Sequence, residues 1–157
     1  MKSLEIEGAD EMISLEHKEF LFKPVGDYVI PAEKVANVQV GNNAEHALLV
    51  LTKTGYSSIP VLDSNDRLKG LLSMRTVTNS ILGLAHIEYE RLRELKVDEI
   101  MRAELDTLKT TDTFQKGLDY LIDHPFICVV DEAGVFQGIL TRRVLLKQFK
   151  KYIYNVI

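Results

Sequence analysis

One stretch of this chain occurs twice at a fixed spacing, and that repetition restricts the possible folds more than any other feature. Residues 58–75 run Ser58-Ile-Pro-Val-Leu-Asp63, a polar turn, then Leu68-Lys-Gly70-Leu-Leu-Ser73-Met-Arg75. Residues 126–143 run Phe126-Ile-Cys-Val-Val-Asp131, a turn, then Phe136-Gln-Gly138-Ile-Leu-Thr141-Arg-Arg143. Asp63 and Asp131, Gly70 and Gly138, and Ser73 and Thr141 each stand 68 positions apart. A constant offset across several residue types marks a duplicated unit. A duplicated unit of this size pairs with its copy, and the cleft between copies is the natural place for function.

The elements around the repeated stretch follow one order. Val35-Ala-Asn-Val-Gln-Val40 is rich in β-branched residues and predicts a strand. Asn42 or Asn43 is placed to cap a helix in which Ala44, Ala47, Leu48 and Leu51 form one apolar stripe, closed by Gly55. Two strands follow around the turn Asp63–Asp66, then a helix from about Met74 to Leu84. The second copy opens at Val97-Asp-Glu-Ile-Met101, has a short strand near Thr107-Leu108, and has a helix capped by Asp112 with Phe114, Leu118 and Leu121 inward. Strands at 126–131 and 135–141 lead into a long helix from about Arg142 to Tyr154. Each copy therefore reads β-α-β-β-α, and the expected class is α/β (α+β). The expected divisions are an N-terminal extension with a short helix ended by Pro24 (1–24), a first repeat (25–85), a charged helical connector (86–96) and a second repeat with a long C-terminal helix (97–157). A three-stranded sheet with its helices buries itself poorly at about 50–60 residues. Two copies packed sheet to sheet remove that difficulty.

Composition narrows the function classes. The hydrophobic fraction of 46% supports a core, and the net charge of −4 argues against a general nucleic-acid binder. No apolar run approaches the ~18–20 residues that cross a bilayer, and the opening residues lack the apolar stretch of a signal peptide. The single cysteine, Cys128, sits in an apolar run and reads as a small buried hydrophobe. These features lead us to expect a soluble cytoplasmic protein without disulfides.

The pattern resembles a tandem pair of cystathionine-β-synthase (CBS) domains, a Bateman module, over residues about 25–150. The residues that carry the resemblance are Gly55-Tyr-Ser-Ser-Ile-Pro-Val-Leu-Asp63 with Gly70-Leu-Leu-Ser73, and Ile127-Cys-Val-Val-Asp131 with Gly138-Ile-Leu-Thr141. The lead-ins Val25–Ile30 and Val97–Met101 match as well. The resemblance implies a pseudo-two-fold pair that binds adenine nucleotides between repeats and dimerises into a flat disk. Lys34–Asn43, Glu45–Tyr56 and Thr141-Arg-Arg-Val144 resemble more narrowly the small stand-alone CBS proteins of Gram-positive bacteria that bind cyclic di-AMP. That group implies an adaptor role toward a (p)ppGpp synthetase/hydrolase.

The residues of the expected site have chemistry of their own. Thr141-Arg142-Arg143 follows a strand and opens a helix, where free N–H groups, the helix dipole and guanidinium donors suit phosphate. Solvated arginines or pairing with acidic neighbours is the alternative. Tyr56 offers a ring or a hydroxyl, and Ser57 and Ser58 are compact donors and acceptors before the strand that holds Pro60. An ordinary helix-to-strand turn is the alternative there. Lys34 stands at a strand start within reach of phosphate, and alternation sets Ala36 and Val38 on one face for a purine edge. In the second repeat His124-Pro125-Phe126 replaces Tyr56-Ser57-Ser58, with two residues fewer between helix and strand. Bulk replaces space, so one competent site per chain is expected and the second cleft should be narrow or filled.

Three positions after Ser73 and Thr141, many AMP- or ATP-binding repeats of the family carry an acidic residue for ribose. Here Thr76 and Val144 stand there, which favours cyclic di-AMP over AMP, ADP or ATP. A mononucleotide-sensing regulatory subunit and a ligand-free dimerisation module remain the alternatives. No catalytic constellation, phosphate loop or metal spacing is legible. His17, His46, His86 and His124 are scattered, and Ser57 and Ser73 have no evident histidine base. The sequence thus predicts a protein that is not an enzyme and has no cofactor or metal. It is expected to form homodimers and to bind no membrane. The cations Arg142, Arg143, Lys147, Lys150 and Lys151 suit either the final helix's own dipole or an acidic partner.

Overall fold

The structure is a computed structural model and describes residues 19–156. The extension before residue 19 lies outside the described residues, and only the end of the expected short helix, residues 19–21, is seen. The first repeat contributes β2 (Val38–Gln39), α1 (Ala44–Thr54), β3 (Ser58–Leu62), β4 (Leu68–Ser73) and α2 (Met74–Ser80), preceded by β1 (Ile30–Pro31). The second contributes α3 (Val97–Ile100), β5 (Thr107–Leu108), α4 (Phe114–Leu121), β6 (Phe126–Val130), β7 (Phe136–Thr141) and α5 (Arg142–Val156). The β-α-β-β-α order therefore holds in both copies. The expected helical connector is a single 3-10 stretch at Tyr89–Arg93.

Caps explain where the helices begin. Asn43 accepts a 2.9 Å bond from the His46 N–H, Ser73 one of 3.0 Å from Thr76, and Thr141 one of 3.1 Å from Val144. Asp112 does not cap α4. Thr113 accepts from the Lys116 N–H, while the Asp112 carboxylate turns back to accept from the Lys109 N–H at 2.8 Å. Gly55 ends α1 at φ +71°, a left-handed conformation that glycine adopts without strain.

The two sheets are β2-β3-β4 and β1-β7-β6-β5. Strand β1 lies at the start of the first repeat in sequence but pairs antiparallel with β7 of the second, Ile30 opposite Ile139. Arg102, which leads into the second repeat, pairs in turn with Leu71 of β4. The repeats have exchanged their lead-ins. Backbone bonds follow the same reciprocity: Val25 N–H to the Asp112 carbonyl and Phe114 N–H to that of Lys23, matched by Val97 to Asn42 and Ala44 to Leu95. The exchange accounts for the two repeated glycines. A Cβ on Gly70 would stand 2.8 Å from the Arg102 carbonyl oxygen and 2.6 Å from the Met101 sulfur, and one on Gly138 would collide with the Ile30 carbonyl.

The core has three parts. One lies under the first sheet and includes Leu51, Ile59, Leu72, Val77 and, from the second lead-in, Val97. Another lies under the second sheet and includes Phe114, Val129, Leu140 and, from the first lead-in, Phe20 and Val25. The third fills the space between the sheets with Val35, Leu62, Cys128, Phe136 and Ile139.

The repeated aspartates build the hairpin turns. Asp63 Oδ1 accepts from the Asn65 and Arg67 N–H groups, and Asp131 Oδ1 from those of Ala133 and Val135, all at 2.9–3.0 Å. The Arg67 N–H bond, foremost, holds the Asp63 carboxyl below its ordinary pKa. Its contribution is therefore complete above the ordinary carboxylate range and disappears as pH falls through the lower folded value. The turns also clasp each other, Leu68 N–H to the Gly134 carbonyl at 3.0 Å and Phe136 N–H to that of Asp66 at 2.8 Å. Asp66 has φ +60° where its counterpart Gly134 has +82°. Replacing Asp66 by glycine removes a steric cost without touching either clasp bond. Chemical denaturation of Asp66→Gly should show a gain of about 0.5–1 kcal/mol.

Candidate functional site

The cleft between the sheets opens beside Pro60. In the second repeat β5 pairs with Cys128 and Val129. In the first, β2 pairs one step later, with Val61 and Leu62. Pro60, the counterpart of Cys128, thus has no ladder neighbour on that side, and its lack of an N–H leaves no bond unmade. Next to it lies a cavity of about 330 Å³ lined by Ile30, Val35, Gly55, Tyr56, Ser57, Ser58, Pro60, Pro125, Phe126, Ile139 and Thr141. Both repeats supply walls, and so does the exchanged strand β1.

Five of the expected residues meet there: Tyr56, Ser57, Ser58, Pro60 and Thr141. Tyr56 is 43% exposed at the rim. Ser57 and Ser58 have no side-chain hydrogen bond among the described residues, so their donors and acceptors are open to a ligand. Thr141 uses an oxygen lone pair to cap α5 and keeps its hydroxyl proton for donation. Lys34 ends a short 3-10 turn next to Val35 and is exposed; Ala36 is half-buried just beyond. Arg143, in the first turn of α5, is exposed and has no protein partner among the described residues.

Two expected residues sit elsewhere. Val38 is 1% exposed within the core beneath the first sheet, because the β2 ladder begins only at that residue and alternation cannot be counted back through Ala36. Arg142 turns away from the cleft. Its Nε donates to the Leu121 carbonyl at 2.9 Å and Nη2 to that of Ile122 at 3.4 Å, closing the C-terminal end of α4. The adjacent guanidiniums thus stand in different surroundings, one bonded to α4 and the other open to solvent. Arg142→Ala should cost about 1 kcal/mol in urea unfolding and leave ligand affinity unchanged. Arg143→Ala should do the reverse, weakening a phosphate-bearing ligand about tenfold or more in calorimetry.

Ile30 and Val35 are cleft residues that sequence reasoning missed. The proline of Ile30-Pro31 marks an edge strand but not the sheet that strand joins. In the pseudo-equivalent cleft Arg102 replaces Ile30 and His124-Pro125-Phe126 replaces the serine loop. The space is divided into chambers of about 190 Å³, lined by Ser58, Leu71, Ser73, Thr76, Arg102 and His124, and about 50 Å³ against Phe126 and Cys128, so Ser58 borders both clefts. Cys128 is buried there, and desolvation pushes its thiol up to about 12, partly opposed by Arg102. It is no nucleophile at neutral pH. Among the described residues no His, Cys, Asp or Glu cluster suits a metal ion, and no helix is long and apolar enough to cross a membrane.

Two β-α-β-β-α units facing each other across a shared cleft define a Bateman module, and the chain belongs to the CBS-domain family, whose model matches residues 25–83 and 97–151. It is similar along most of its length to cyclic di-AMP receptor B of Bacillus subtilis (strain 168), with 50% identity over 145 residues, 92% of this chain and 99% of that protein. The crystal structure of Listeria monocytogenes CbpB in complex with c-di-AMP is 53% identical, covers 83% of this chain and 97% of its own, and superposes with a TM-score of 0.78. A CBS domain-containing protein of unknown function from Bacillus anthracis is 53% identical over 86% of this chain and 98% of its own, with a TM-score of 0.80.

Proposed function

We propose that this protein is a non-catalytic cyclic di-AMP sensor that regulates a partner enzyme according to ligand occupancy. The observation that carries the reading is the asymmetry of the clefts: one open, apolar-walled cavity with free serine hydroxyls, against a divided counterpart. A cavity of about 330 Å³ is at the small end of the range for ligand sites and suits one adenosine half of the dinucleotide. Ile30, Val35, Pro60 and Ile139 pack on the base, while Tyr56, Ser57, Ser58 and Thr141 supply polar contacts. The rest of the ligand lies at the mouth, with Arg143 and Lys34 available to its phosphates. The relatives from Bacillus and Listeria, named for or solved with this ligand, support the same choice. Val144 stands where a ribose-binding carboxylate would favour AMP or ATP.

In this reading the protein acts in the cytoplasm as a homodimer, and the partner is a (p)ppGpp synthetase/hydrolase. Regulation requires that the ligand bind the partner-competent and partner-incompetent states unequally, and partner and ligand then affect each other's affinity reciprocally. Calorimetric titration with cyclic di-AMP, ATP and AMP in parallel is the test. Saturation near one ligand per chain with preference for the cyclic dinucleotide is expected. Preference for a mononucleotide, or no heat from any of them, refutes the assignment.

A further inference from the structure

The C-terminal helix carries a charge that the cleft does not use. Its fifteen residues hold Arg142, Arg143, Lys147, Lys150 and Lys151 and no carboxylate. With −4 for the whole chain and +5 in α5, the rest of the molecule stands at −9. Lys147, Lys150 and Lys151 are exposed and form no ion pair among the described residues. At 100° per residue they share one side of the helix with Tyr154, over whose ring Lys150 Nζ lies at 5.8 Å. Beside them, between α5 and the segment entering the second core, is a cavity of about 250 Å³ lined by Phe20, Lys23, Tyr28, Gln148, Lys151 and Tyr152, among others. Its floor is fixed: the Phe20 ring stacks on Phe114 at 4.8 Å, and Tyr28 meets Phe114 edge-on at 4.8 Å.

We propose that this face of α5 and the adjoining cavity dock an acidic protein segment. Its carboxylates meet Lys23, Lys147, Lys150 and Lys151, and one aromatic side chain enters the cavity. The proposal rests on the adaptor reading above and names the surface through which the partner is held. A second copy of the chain is better matched to the exposed apolar edge of α5 at Leu146 and Ile153, which lies about 100–120° round the helix from Lys147, on the side away from the cavity. A nucleic acid or membrane is a poor occupant, since an extended polyanionic surface would also meet the strongly acidic remainder of the molecule. Helix α5 also connects this face to the ligand. It begins directly after Thr141, which lines the nucleotide cleft and caps the helix, and runs about 22 Å from there.

The test is an NMR titration of the full chain with two synthetic twelve-residue glutamate-rich peptides, one with a central phenylalanine and one with serine in its place. The phenylalanine peptide should saturate, bind at least tenfold more tightly than the serine peptide, and shift Lys23, Tyr28, Lys151 and Tyr152. The combined Lys147→Gln, Lys150→Gln and Lys151→Gln variant should lose this binding while keeping its thermal midpoint and its cyclic di-AMP titration. Lys→Arg at the same positions should retain it, which guards against a misfolded variant. No saturation, equal affinity for both peptides, shifts confined to other surfaces, or binding that survives the glutamine variant overturns the proposal. Failure of cyclic di-AMP to bind the wild-type protein refutes the sensor assignment instead and leaves the docking surface to be judged by the peptides.

Discussion

Ser58→Phe should abolish cyclic di-AMP binding, with affinity falling by more than about 100-fold, while the protein keeps its fold. The second repeat already contains this substitution. Phe126 is the counterpart of Ser58: it pairs with Thr141 as Ser58 pairs with Ser73, so a phenylalanine fits the backbone at this register. Ser58 lines the open cavity of about 330 Å³ as well as the divided one, and a phenyl ring placed there stands in the space where the base would lie. Loss of the base contacts and of a hydroxyl partner together exceeds about 3 kcal/mol, hence the factor of 100. Calorimetry with a parallel thermal melt decides it. A variant that folds and binds as tightly as wild type would place the ligand elsewhere.

Gly138→Ala has the largest expected effect on stability, a loss of about 3–4 kcal/mol in urea unfolding. Its Cβ would be driven into the Ile30 carbonyl and would stand 2.8 Å from Val29 Cγ1, and the residue has φ +148°, where side chains are strained. Overpacking against backbone costs about 1–3 kcal/mol, and a disfavoured backbone conformation a similar amount. The strand that must move is β1, which supplies Ile30 to the cleft wall, so ligand affinity should fall as well. Gly70→Ala is the milder comparison, because part of its collision is with the flexible Met101 side chain. An unchanged urea midpoint for Gly138→Ala would show that β1 does not lie against β7 as described.

The elements themselves were legible because their signals are local. Apolar spacing in α1, the cap at Asn43, the left-handed Gly55 and the paired Asp turns each depend on a few neighbouring residues, and so does the count that leaves the second repeat short before Phe126. Tyr56, Ser57, Ser58, Pro60 and Thr141 could be chosen for the same reason. The exchange of lead-ins was not legible. Periodicity marks a strand but not the edge it joins, and Ile30-Pro31 reads the same beside either sheet. Ile30 was lost as a site residue on that account. Arg142 and Arg143 are indistinguishable by type; a carbonyl twenty residues back at Ile122 separates them. Thr113 and Asp112 are both good caps, and a competing bond from Lys109 decides between them.

The exchange also sets a schedule for synthesis. The core under the first sheet contains Val97 and is packed by Ile100 and Met101. A ribosome that has delivered only the first repeat has therefore not yet supplied the residues that complete it. Phe20 and Val25, made early, wait for α4 and β6 before they have anything to pack against. Neither half can mature before the other, so the nascent chain should gain protease resistance in one late step, after the second half has emerged.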